Sequence, residues 1–180
     1  NNSTSQVWIA HRTKIYQIQR PQIQMNILIT INHMINLGGS EKYVLALIHG
    51  LRAMEHQVFI KAIERGKSFE LALSKGAIAY DLQQIDLVLL NHNSTFQHLS
   101  SRLKNLPIFQ ICHGKFPYLE QPISNLSGYF SVSPEVQNHL KRARLKSTLL
   151  WNPVIHDTTS PTVSRDIDFL VLSQGERAID

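Results

Sequence analysis

A chain of 180 residues is long enough for one well-buried domain and too short for two ordinary ones, and its 43% hydrophobic content is that of a soluble globular protein. No apolar run approaches the ~20 residues of a membrane span, and the polar start Asn1-Asn2-Ser3-Thr4-Ser5 lacks the layout of a signal peptide. Cys112 is the only cysteine, which excludes an internal disulfide and fits a reducing cytoplasm; the net charge of +5 carries no arginine-rich arm, zinc-finger spacing or aromatic RNA-binding signature, so nucleic acid ranks low.

Residues 1–24 are polar, glutamine-rich and poorly periodic apart from the patch Val7-Trp8-Ile9-Ala10, and read as an N-terminal extension or upstream segment. A strand–helix alternation then occupies 25–157. The run 26–31 is a buried strand, followed by a loop, the pair Gly38-Gly39, and an amphipathic helix over 40–54 with Val44, Leu47, Ile48 and Leu51 on its inner face. A second strand is expected at 58–62, a short helix at 69–74 and a short strand at 77–80. The continuous apolar run 86–90 reads as a strand covered on both faces. A helix is expected over 95–103, with Ser94 and Gln97 spaced as a capping box. Further strands are expected at 108–112, 129–132 and 148–151, and Ser133-Pro134-Glu135 is a strong helix start. Repeated βα units with apolar strands predict an α/β fold, a doubly wound, mostly parallel, Rossmann-like sheet. Residues 158–166 have linker composition, and 167–180 read as the start of a truncated second domain or a return segment.

In such a sheet, ligands bind beyond the carboxyl ends of the strands. The residues just past each strand are therefore the candidates: Asn32 and His33 with the Gly38-Gly39-Ser40 loop, then Asn91, His92 and Asn93, then His113-Gly114-Lys115, then Ser133, and last Asn152-Pro153. Two readings of the double glycine stay open at this point, a tight turn and a phosphate cradle at a helix N-terminus. His113 stands out because it follows a buried strand and precedes a glycine; its imidazole can bond a sugar hydroxyl or phosphate, or move a proton. Cys112 cannot pair with it, since adjacent strand residues face opposite ways, and reads as a small buried residue. No element carries metal-ligand spacing, and Asp166-Ile167-Asp168 precedes a strand rather than ending one, so no metal is expected. The sequence lacks a P-loop, a dinucleotide fingerprint and a serine nucleophile elbow, which argues against nucleotide hydrolases, dinucleotide enzymes and serine hydrolases. Lys141, Arg142, Arg144 and Lys146 close the helix begun at Pro134; a solvated face and a contact with an anionic membrane are the two readings.

The order of these pieces resembles a known family. Asn26-Ile27-Leu28-Ile29, then Gly38-Gly39-Ser40-Glu41-Lys42-Tyr43-Val44, then His56-Gln57-Val58, is similar to the N-terminal half of retaining GT-B glycosyltransferases of the family-four type (glycosyl transferases group 1). Ile111-Cys112-His113-Gly114, Phe130-Ser131-Val132-Ser133-Pro134-Glu135 and Leu150-Trp151-Asn152-Pro153 continue the match. Met54-Glu55 departs from it, standing where the family has a small residue and a glycine before the histidine. The resemblance implies the acceptor-side half of a two-domain enzyme that moves a sugar from a nucleotide-diphosphate sugar to a glycan or lipid-linked acceptor, with retention of configuration and without a cofactor. It implies that Gly38, Gly39 and Ser40 face the donor, that His113 contacts the donor sugar, and that Ser133 and Asn152 line the cleft, with Lys115 an acceptor or phosphate contact. It also implies that the nucleotide-binding residues lie beyond residue 180 and that this chain alone is inactive; the cytoplasmic placement comes from the single cysteine, and peripheral contact at the inner face of an anionic membrane is one of the two readings of the basic cluster. A non-catalytic α/β module for a phosphorylated ligand, and an epimerase or phosphorylase of GT-B build, are the alternatives.

Overall fold

A computed structural model of the chain describes residues 6–11, 14–19, 23–115 and 118–153. The expected linker at 158–166 and the segment 167–180 lie outside the described residues. Within 1–24, where the sequence shows little periodicity, β1 (Gln6–His11) and β2 (Lys14–Gln19) pair antiparallel as a separate two-stranded sheet. The apolar patch Val7-Trp8-Ile9-Ala10 lies within β1.

Among the described residues the main sheet has seven strands, all parallel. In chain order they are β3 (Asn26–Met34), β4 (Gln57–Arg65), β5 (Ile78–Ala79), β6 (Leu87–Leu90), β7 (Ile108–Cys112), β8 (Gly128–Ser131) and β9 (Ser147–Leu149). Their order across the sheet is β5-β4-β3-β6-β7-β8-β9. The chain therefore reverses its direction of travel between β3 and β6, which is the topological switch point of a Rossmann-like doubly wound sheet. β3 sits against both neighbours, with Ile27 opposite Val58 on one side and Leu87 on the other. A strand so placed is covered on both faces, which is why its sequence runs apolar without alternation.

The two faces are nonetheless distinct. Ile27, Ile29 and Ile31 pack under α1 (Gly39–Ala53) and α2 (Lys67–Ser74), together with Val44, Ile48 and Phe69. Leu28 faces the other way, toward Leu99 and Leu103. That second face is covered by α3 (Ser94–Gln97), α4 (Ser101–Lys104) and α5 (Pro134–Arg142), the last through Val136 and Leu140. Val44, Ile48 and Leu140 are wholly inaccessible, and each such side chain stabilises the fold by roughly 2 kcal/mol. Among the described residues no helix is long and apolar enough to cross a membrane.

Two local expectations need correction. The segment 95–103 is not one helix but two four-residue turns, because Ser100 takes an extended conformation and its hydroxyl accepts from Leu103 N–H. A serine that bonds its own backbone competes with helix continuation. Ser94 does not cap α3 either: its hydroxyl donates to Asn32 Oδ1 at 2.8 Å, a contact 62 residues away in sequence. At the departure noted above, Glu55 follows the end of α1 with φ 64°, the left-handed conformation in which helices commonly place a glycine. Its N–H donates to Arg52 O and that of His56 to Leu51 O, closing the last turn.

Candidate functional site

The carboxyl ends of β3, β6 and β7 meet around the first turn of α1. β3 carries Asn32 and His33, the residues past β6 are Asn91 and His92, and His113 follows β7. Side chains from α1 join them. Glu41, 4% exposed, turns its carboxylate back over the helix start: Oε2 accepts from Gly38 N–H at 3.1 Å and from the Ser40 hydroxyl at 3.3 Å. Its Oε1 lies 3.4 Å from His33 Nε2.

This contact redefines the double glycine. Gly38 is the N-cap of α1 and its backbone is extended, so no unusual φ demands a glycine. A Cβ there would stand 2.6 Å from Glu41 Oε2, so a larger residue would have to push that carboxylate aside. Gly39 has nothing within 4 Å of where its Cβ would be. The protein's own carboxylate thus takes the Gly38 N–H, while the surface at Gly39 and Ser40 stays open.

The imidazoles differ in the partners that hold them. His92, 3% exposed, accepts from Asn32 N–H through Nδ1 at 3.1 Å and stacks on His33 with ring centroids 5.1 Å apart. Its pKa falls to about 4, because burial disfavours the charged ring and the charges of His33 and His113 oppose it further. A chain of hydroxyls holds it from behind. The Thr95 hydroxyl donates to His92 O at 2.7 Å, which leaves Thr30 to donate to Thr95 Oγ1 at 2.8 Å.

His113 is held through Nε2, 3.1 Å from Asn91 Oδ1. Asn91 is itself fully buried, and its Nδ2 donates to Thr30 O at 3.4 Å, so its oxygen faces the imidazole and accepts. Nε2 of His113 therefore carries the proton and Nδ1 is the acceptor. The Tyr43 ring meets His113 edge-on at 4.7 Å. Burial lowers the His113 pKa to about 4. At neutral pH this ring is a hydrogen-bonding group rather than an acid.

Tyr43 is 4% exposed and its hydroxyl has no partner among the described residues; burial pushes its pKa up to about 12. Tyr43→Phe keeps the edge-on packing and removes a buried, unsatisfied hydroxyl. We expect it to stabilise the fold by about 1 kcal/mol, read as a higher urea midpoint. A lower midpoint would show that the hydroxyl has a partner in solution.

No family model matches this chain, and no curated protein or solved structure matches it either.

The other candidates from the sequence divide. Ser133 caps α5, its hydroxyl accepting from Val136 N–H at 3.3 Å. The neighbouring Glu135 has its pKa lowered chiefly by a hydrogen bond with Ser133 and in smaller part by the charge of Lys115, so these three residues share one patch. β8 adjoins β7, which puts this patch beside His113 along the same rim. Asn152 is exposed; Pro153 next to it lines a concavity with Leu37 and Lys42, the residues flanking the Gly38–Glu41 turn. Cys112 is buried on the α5 face, opposite His113, and its thiol rises to about 12 through burial and the charge of Glu120. It is not a nucleophile. Another concavity, about 350 Å³, opens beside Asn93, Ser94 and Tyr118.

Glu41 and Tyr43 are the members of the site that sequence reasoning did not single out as functional. For Glu41 a signal existed: it stands three residues after Gly38, the spacing at which an acid reaches back to a helix N-cap. Among the described residues no three His, Cys, Asp or Glu side chains are placed to share a metal ion.

Proposed function

We propose that this chain forms the acceptor-side half of a retaining glycosyltransferase of the GT-B type, its rim closing one side of the site of a nucleotide-diphosphate sugar. The observation that carries the reading is the convergence, at the switch point of the sheet, of an open helix start at Gly39-Ser40 and a neutral, rigidly held His113. A helix N-terminus favours the donor's diphosphate. A neutral imidazole with a free Nδ1 accepts from a sugar hydroxyl, and Asn91 and Tyr43 set its orientation in advance of binding. The left-handed Glu55, at the place where the resembling family has glycine, supports the same assignment. In this reading Glu41 screens Gly38, so the diphosphate meets Gly39 and Ser40 alone and the nucleotide is held mainly by another domain.

The test is an NMR titration of the chain with UDP-glucose and GDP-mannose. Weak binding, roughly millimolar, is expected, with shifts at Gly39, Ser40 and the His113 ring, and with His113→Ala removing the sugar-dependent part. Submicromolar binding would contradict the division between domains. Shifts absent from these residues would sink the assignment of the rim.

A further inference from the structure

At the other end of the sheet, away from the histidines, α5 ends at Arg142 and the chain turns into β9 at Ser147. Between helix end and strand lies a concavity of about 490 Å³, lined by Gln137, Lys141, Arg144, Lys146 and Ser147 among others. Among the described residues no acidic side chain lines it. None of the three cations is in an ion pair among the described residues. The walls are tied together, since Gln137 Nε2 donates to Ser147 O at 3.2 Å.

The ordinary role of such cations is to satisfy the negative end of a helix. Here the backbone itself satisfies three of the last four carbonyls. The carbonyls of His139, Leu140 and Lys141 accept from the N–H groups of Ala143, Leu145 and Arg144 at 3.2, 2.9 and 3.0 Å. Arg144 also takes φ 62°, at the position after a helix where glycine is the unstrained choice. An arginine there keeps a cation at the mouth of the concavity against the preference of its own backbone.

We propose that this concavity is a binding site for a phosphate-bearing group, gripped by Lys141, Arg144 and Lys146. Arginine matches a phosphate with two parallel N–H bonds, and lysine adds point charge. The volume exceeds that of one phosphate, leaving room for the ester it belongs to. The phosphate can come from a soluble ester or from a lipid headgroup. No residue of this site belongs to the rim, so it stands whether or not the glycosyltransferase reading does.

The test uses the full chain and two probes. One is inorganic pyrophosphate, followed by calorimetry; the other is co-sedimentation with phosphatidylglycerol-containing vesicles against pure phosphatidylcholine. The variants are Arg144→Gly and Lys146→Gln, alone and together. Arg144→Gly relieves the strained backbone and should keep or raise the melting temperature, so lost binding cannot be blamed on unfolding. The double variant is expected to bind about tenfold more weakly. Saturable pyrophosphate binding with no preference for the anionic vesicles identifies a soluble phosphate. Vesicle binding that pyrophosphate competes away identifies a headgroup. If neither probe binds, or if the double variant binds like the parent, the proposal is wrong.

Discussion

Acidification from about pH 7.5 to about pH 5 is expected to remove about 3 kcal/mol of stability, through His92 and His113. Each ring titrates near 6.5 in an unfolded chain and near 4 in the fold, so the unfolded state binds more protons throughout that interval. Stability is therefore complete above the unfolded value, falls as the pH drops through the window, and levels off below about 4. Linkage over this interval gives about 2 kcal/mol for the enclosed His92. The less enclosed His113 contributes about 1 kcal/mol after solvent screening. Their surroundings offer little relief. His92 is flanked by two other imidazoles, and Glu41, the carboxylate of this cluster, is paired with His33.

Urea midpoints measured across that range check the slope. His92→Gln serves as the control, because its amide oxygen can still accept from Asn32 N–H while binding no proton. The variant should lose most of the pH dependence. A midpoint that is flat from neutrality to pH 5 in the parent would mean that the rings titrate as if exposed.

How much of this was legible in the sequence depends on the range of the forces involved. The order of strands and helices followed from continuous apolar runs such as 86–90 and from the Ser133-Pro134-Glu135 start, both local signals, and the sheet that results is entirely parallel. The rim position of His33, His92 and His113 followed from one topological rule. What could not be read is what each polar group does once there. Ser94 looks like a cap and instead bonds Asn32; Ser100 looks like mid-helix and instead caps the start of a second short helix. Both outcomes are set by partners that the chain supplies only when folded, or by a hydroxyl's choice between two backbone bonds. The double glycine is the clearest case. Sequence leaves turn and cradle open, and nothing local in it shows that the folded Glu41 carboxylate takes the Gly38 N–H while the Gly39 side stays clear among the described residues.

Gln110→Met is expected to destabilise the fold by about 2–3 kcal/mol, although it conserves side-chain size. Gln110 lies in the middle of β7, wholly inaccessible, at a position where an apolar side chain would suit the sheet. Its Nε2 donates to Gln121 O at 3.0 Å and its Oε1 accepts from Ile123 N–H at 2.8 Å. Both partners belong to the segment that follows the short 3₁₀ turn Tyr118–Glu120. Methionine keeps the packing but leaves the Ile123 N–H without its acceptor, and an orphaned buried donor costs more than the bond itself was worth. Asn93 Nδ2 still reaches Gln121 O at 3.3 Å and Tyr129 still donates to Ile123 O at 2.6 Å, so the segment should loosen rather than detach. Hydrogen exchange at the Ile123 amide should accelerate in step with the drop in urea midpoint. The His113 ring should not respond, because Asn91 and Tyr43 hold it from the opposite face of β7. An unchanged Ile123 amide would mean that the wall beside Asn93 and Tyr118 does not depend on this glutamine. A shifted His113 resonance would mean that the two faces of β7 are coupled, and the rim could not then be treated as rigid.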